Sequence, residues 1–186
     1  MGRLAELLPA HGLATLRVER RGHGFVVLGF AGRDPERLVL DDEDCRAALA
    51  GLDLVADLDQ VLSILEAGGH ESLEWMLDAP TGVLFLTAIH SAERGGPAGG
   101  IRRYEPDQPE IEIVRELARL SRAMTFKNAA ADLPHGGSKL GVVAPPPPLE
   151  DPERAERYYE FCAYGIERSR SITGPDMGFT LADADP

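Results

Sequence analysis

Residues 72–91 read SLEWMLDAPTGVLFLTAIHS, and their interpretation decides the fold. SLEWMLD at 72–78 and TGVLFLTAIHS at 81–91 predict two strands around the turn DAPTG, and the second is apolar enough to be central in a sheet. RGGPAGGIRRYEP at 94–106 reads as a glycine-rich loop, because glycine weakens helix and strand interiors alike. PEIEIVRELARLSRAMTFKNAAAD at 109–132 then places Ile113, Leu117, Leu120 and Met124 on one face of a long helix. LPHGGSK at 133–139 reads as a loop, LGVVA at 140–144 as a short buried strand and PPPP at 145–148 as a stiff connector. EDPERAERYYEFCAYGIERS at 150–169 opens with acids and a proline and predicts a helix, and ITGPDMGFTLADADP gives a last strand and loop.

Strands alternating with helices argue for an α/β layer structure over residues 71–186, expected as a mixed, mostly parallel sheet flanked by helices. The first 70 residues have another texture. RLAELL at 3–8 is a helical turn, ATLRVER at 14–20 and GFVVLGF at 24–30 form a hairpin, and ERLVLD at 36–41 offers a third strand. DEDCRAALAGL and DLDQVLSILEAGG follow as helices, so 1–70 is expected to be a small α+β extension.

Composition excludes several classes of partner. Nineteen basic against thirty-one acidic residues give a net charge of -12, which opposes nucleic acid and anionic membrane. The longest apolar stretch, GVLFLTAI at 82–89, is of strand length, so no membrane span is expected. The N-terminus shows no secretory leader, and Cys45 and Cys162 have neither metal-type spacing nor a disulfide framework, which predicts a cytoplasmic protein without a metal site. GGSK at 136–139 is not a phosphate-binding loop, since Ser138 separates glycine from lysine and Leu140 follows it. No G-x-G-x-x-G follows a strand either, so no nucleotide site and no dinucleotide-binding domain is visible.

The chain holds two lysines, Lys127 and Lys139, against seventeen arginines. Arginine serves wherever a permanent charge suffices, whereas lysine can also exchange a proton. By spacing, both ammonium groups can face one cleft rimmed by the glycines at 95–100, 136–137 and 174–178. Two cations there suit an anionic substrate, and their mutual repulsion is a route to a lysine acting as a base. The same residues also read as surface lysines between ordinary turn glycines. Asp176, in TGPDMG, is either a carboxylate held rigidly near the lysines or a turn aspartate capping its own loop. His90 reads as structural and His135 as a solvated loop residue.

Taken in order, GPAGGIRR at 96–103, RLSRAMTFKNAAADLPHGGSK at 119–139 and TGPDMG at 173–178 resemble the N-terminal, substrate-binding and dimerisation domain of the glutamate/leucine/phenylalanine/valine dehydrogenase family. The resemblance covers about 72–185. It implies that Lys127 binds the substrate α-carboxylate, that Lys139 is the catalytic lysine activating water, and that Asp176 shuttles protons with it. Gly99 and Gly100 fall on the paired glycines that close on the substrate, and Met124 on a methionine lining the pocket. The implied reaction is oxidative deamination of an L-amino acid to a 2-oxo acid with NAD or NADP, in a homo-oligomer.

Four departures stand out. Ser138 replaces the usual third glycine, Ile101 stands where leucine-type enzymes often carry threonine, and Phe179 stands where threonine usually follows the aspartate motif. Ala98 occupies the place of the lysine with which glutamate enzymes hold a side-chain carboxylate, which tilts the expected substrate toward an apolar amino acid. No residue can be assigned to the nicotinamide, so the expectation is half of an active site, completed by a nucleotide-binding domain supplied elsewhere. The competing expectation is a module that senses amino acids or assembles with a dehydrogenase without turnover.

Overall fold

The computed structural model describes residues 15–30, 38–40, 55–78 and 80–180. The helical turn expected at 3–8, the helix expected at 42–52 and Cys45 lie outside them. Eight strands form one sheet: β1 (Thr15–Arg21), β2 (Gly24–Phe30), β3 (Leu38–Leu40), β4 (Ser72–Asp78), β5 (Val83–Ser91), β6 (Pro97–Tyr104), β7 (Gly136–Val143) and β8 (Ile172–Pro175). Helices α1 (Val55–Gly68), α2 (Glu110–Ala130) and α3 (Pro152–Ser169) complete the described elements. The strand order is β3-β2-β1-β4-β5-β7-β6-β8.

The sheet is mixed, within an α/β fold, but antiparallel pairing predominates over the parallel pairing expected. β3-β2, β2-β1, β1-β4, β4-β5 and β5-β7 are antiparallel. Only β7-β6 and β6-β8 are parallel. Short turns make the antiparallel pairs: β1 turns into β2 at Gly22, whose φ is 60°, and β4 turns into β5 at Gly82, whose φ is 72°. Parallel neighbours need crossovers, and here α2 carries β6 to β7 while α3 carries β7 to β8. The described strands of residues 1–70 join this same sheet, with Val18 opposite Leu73 across β1 and β4, so the line drawn at residue 70 runs through continuous structure.

Two cores follow from strand alternation. Leu84, Leu86 and Ala88 of β5 point to the side of α1 and α2, where Leu65, Ile113, Val114 and Leu117 meet them. Val83 and Phe85 point to the side of α3, against Tyr158, Phe161 and Cys162. A methyl carbon at Gly165 would lie 2.7 Å from the Phe85 ring, so glycine lets α3 lie close on the sheet. That helix begins at Asp151, whose carboxylate accepts the Arg154 N–H at 3.2 Å, and ends at Arg170 with φ 51°.

The two stretches read as glycine loops are strands. Gly99 and Gly100 lie inside β6, and Gly136 to Lys139 inside β7. Proximity explains both. A methyl carbon at Gly137 would sit 2.2 Å from Thr125 Oγ1, 2.3 Å from the Thr125 nitrogen and 2.4 Å from the Ser121 carbonyl oxygen. One at Gly99 would sit 1.8 Å from the Ser138 carbonyl oxygen. These glycines admit a helix or a neighbouring strand where a side chain would exclude it.

Candidate active site

Lys139 lies in the middle of β7 and is only 5% exposed. Its side chain points to the α2 side, between Gly137 and Gly141 on the same strand face. A methyl carbon at Gly141 would meet Tyr104 at 3.1 Å and Leu117 at 3.2 Å. The Lys139 ammonium donates to Asp176 Oδ2 in an ion pair.

Asp176 follows the last residue of β8. Its backbone N–H donates to the Ile101 carbonyl at 2.9 Å, which ties it to β6, and its own carbonyl accepts from Phe179 N–H at 3.2 Å. Phe179 is buried in the core under α3, so this departure from the family pattern anchors the aspartate loop by apolar packing. Burial by itself would raise the Asp176 carboxyl. The Lys139 ammonium, the Met177 N–H and the Arg102 guanidinium outweigh it and bring the pKa from its ordinary 3.8 down to about 2.

Arg102 completes the cluster from β6, donating to Asp176 Oδ2 through Nε at 3.2 Å and Nη2 at 3.0 Å, and to Glu116 Oε1 of α2 through Nη1 at 2.6 Å. Tyr104, two residues on along the same strand face, has its hydroxyl pushed up by burial and then by the Glu116 carboxylate. Gly100 occupies that face two residues before Arg102. A methyl carbon there would lie 2.8 Å from Lys139 Nζ and 3.2 Å from Asp176 Cβ, so its missing side chain leaves room for the pair.

Of the residues singled out in the sequence, Lys139, Asp176 and Gly100 therefore meet. Gly99 acts in the strand contact with Ser138. Met124 is half-buried and Lys127 exposed near the end of α2. Eleven residues, about three helical turns, separate Lys127 from Glu116, which places both on one stripe of the helix flanking the cluster. Lys139 has the Asp176 carboxylate for its neighbour, where the sequence reading sets its charge against that of Lys127. Ser138 faces the opposite side of β7, where its hydroxyl bonds that of Ser171. His90 is structural as expected: Nε2 lies 3.1 Å from the Gly68 carbonyl and Nδ1 2.9 Å from Thr125 Oγ1, and burial lowers its pKa.

Arg102 and Glu116 were not singled out in the sequence. Arg102 is one of seventeen arginines, and the signal that distinguishes it, its place two residues after Gly100 on a strand face, exists only once RGGPAGGIRRY is read as a strand.

An open cavity of about 990 Å³ lies on the α3 side, lined by Arg17, Tyr164 and Arg168 among others. Beside it Arg168 holds buried Glu74 through Nε at 3.0 Å and Nη2 at 3.3 Å, and Arg17 lies 3.8 Å from the same carboxylate. By register Glu74 lies opposite Thr87, and Thr87 opposite Leu140, so these charges sit two strands from β7, on the face of the sheet opposite Lys139. Among the described residues there is no group of side chains suited to a metal ion, and no helix is long and apolar enough to cross a membrane.

The fold is that of a mixed α/β domain, and comparison with known proteins puts it in the amino-acid dehydrogenase class. The chain belongs to the Glu/Leu/Phe/Val dehydrogenase family, whose dimerisation-domain model matches residues 83–185. It is 35% identical over 130 residues to a valine dehydrogenase of Streptomyces coelicolor, covering 70% of this chain and 35% of that protein. It is 36% identical over 118 residues to a phenylalanine dehydrogenase of Lysinibacillus sphaericus, covering 61% of this chain and 29% of that one. Among solved structures, the L-tryptophan dehydrogenase of Nostoc punctiforme superposes with a TM-score of 0.54 at 29% identity, over 65% of this chain and 35% of that one. The chain thus spans about a third of the length of these relatives.

Proposed function

We propose that this chain is the substrate-binding and oligomerisation portion of a cytoplasmic NAD(P)-dependent L-amino-acid dehydrogenase, which converts an apolar L-amino acid to its 2-oxo acid together with a nucleotide-binding domain. The observation that carries the reading is the ion pair between buried Lys139 and half-buried Asp176 beside the side-chain-free face of Gly100. Relatives named for valine, phenylalanine and leucine support an apolar substrate, as does the absence of a cationic side chain at Ala98.

In this reading Lys127 holds the substrate carboxylate at the mouth of the cleft, and Gly100 lets the substrate carbon approach Lys139. The residues here serve the hydrolytic part of the reaction, in which water adds to the imine carbon and ammonia leaves. Asp176, ionised across the neutral range, accepts the proton that water loses as its oxygen bonds the imine carbon, while the Lys139 ammonium supplies a proton to the departing nitrogen and takes up the hydroxyl proton as the carbonyl forms. The described residues do not fit the dinucleotide itself. A pyrophosphate favours a helix N-terminus of free N–H groups, but α2 begins with Glu110 and Glu112, and Asp151 already occupies the start of α3.

The test mixes the chain with a complementary nucleotide-binding domain, NAD(P) and apolar L-amino acids. Cofactor reduction that disappears in Lys139→Arg, because arginine keeps the charge but cannot deprotonate, is expected. Absence of reduction overturns the enzymatic reading, and retained amino-acid binding would then make the chain a sensing module.

A further inference from the structure

Asp176 receives three side-chain hydrogen bonds, from Lys139 of β7 and twice from Arg102 of β6, and all three end on Oδ2. The Arg102 side chain is only 16% exposed, and its remaining contact, Nη1 to Glu116 at 2.6 Å, ties it to α2. Helix α2, β6, β7 and the segment after β8 therefore meet at one carboxylate. A guanidinium suits this junction because its planar fork presents several N–H groups at fixed angles, whereas an ammonium would hold only a point charge.

We infer that Arg102, steadied by Glu116, is a positioning residue that aims the Asp176 carboxylate at Lys139 and keeps it in the anionic form in which it can take a proton. The inference rests on the reading of Lys139 and Asp176 as the proton-handling pair. Among the described residues, Lys139, Arg102 and, through Arg102, Glu116 and Tyr104 are the charged or titratable groups facing Asp176 from the surrounding elements. An ion pair that merely stitched β8 to the sheet would need no such arrangement on a single oxygen.

The test is a titration of the Asp176 side-chain carbon by ¹³C NMR in the full chain, unsubstituted and as Arg102→Gln and Arg102→Lys. In the unsubstituted chain the midpoint is expected at about 2. Removing a cation at this range raises a carboxyl by ~1–3 units, so Arg102→Gln is expected to move the midpoint up by at least about one unit. Arg102→Lys keeps the charge and most of the low midpoint but loses the fork, which is read as averaging of the Asp176 Hα–Hβ couplings. An unmoved midpoint in Arg102→Gln overturns the role, and if that variant does not fold, unaveraged couplings in Arg102→Lys overturn it. Binding of 3-methyl-2-oxobutanoate is measured alongside. If the unsubstituted chain does not bind it, the functional reading falls while the titration still decides the role of Arg102.

Discussion

The antiparallel half of the sheet, β3 to β5, and the parallel half, β7, β6 and β8, are built by opposite means. Along β4 and β5 the inward positions are large: Leu73, Trp75, Leu77, Leu84, Phe85 and Leu86 interlock with neighbouring strands and helices. Along β6 and β7 the corresponding positions include Gly100, Gly137 and Gly141, and between them stand Arg102 and Lys139. The first half derives its order from packed apolar surface. The second gives up side chains so that α2 can approach the strands and charged groups can meet beneath it, and the candidate chemistry sits there.

Substitutions at the two halves should therefore fail for different reasons. The largest effect is expected from Phe85→Ala, which empties a fully buried ring site and costs about 3–5 kcal/mol in urea unfolding. Gly137→Ala adds a single carbon against the backbone of α2 and is expected to cost about 1–3 kcal/mol, an inversion of the usual rule that alanine stabilises. A smaller effect depends on pH. Because Asp176 has a lower pKa folded than unfolded, its contribution is complete above the ordinary 3.8 and is lost as pH falls through about 2. The stability gap between the unsubstituted chain and Asp176→Asn should accordingly shrink from pH 4 to pH 2. The smallest is Gly174→Ala, within ~0.5 kcal/mol, since a methyl carbon there meets nothing within 4 Å.

The two halves also differed in how legible they were. β4, β5 and the helices α2 and α3 follow from local pattern: apolar runs bounded by DAPTG, the 3.6-residue repeat through Leu117, and Asp151–Pro152 at a helix start. The glycine stretches were misread as loops because local propensity disfavours glycine in strands. Here the demand comes from tertiary contacts, Thr125 against Gly137 and Ser138 against Gly99, which no local window contains. The predominance of antiparallel pairing escaped for a related reason: β7 inserts between β5 and β6, far from its neighbours in sequence. Lys139 and Asp176 were visible as unusual residues in ordered motifs. Their partner Arg102 carried no mark until strand alternation placed it on the face of Gly100.

In the proposed function the parallel half holds the carboxylate and carbonyl of an apolar 2-oxo acid between Lys127 and Lys139. Calorimetric titration of 3-methyl-2-oxobutanoate into the chain tests it most directly. Saturable binding is expected, weakening by at least about tenfold, ~1.4 kcal/mol, in both Lys127→Ala and Lys139→Met. Binding of undiminished strength in both substituted chains, or no binding by the unsubstituted one, would contradict it.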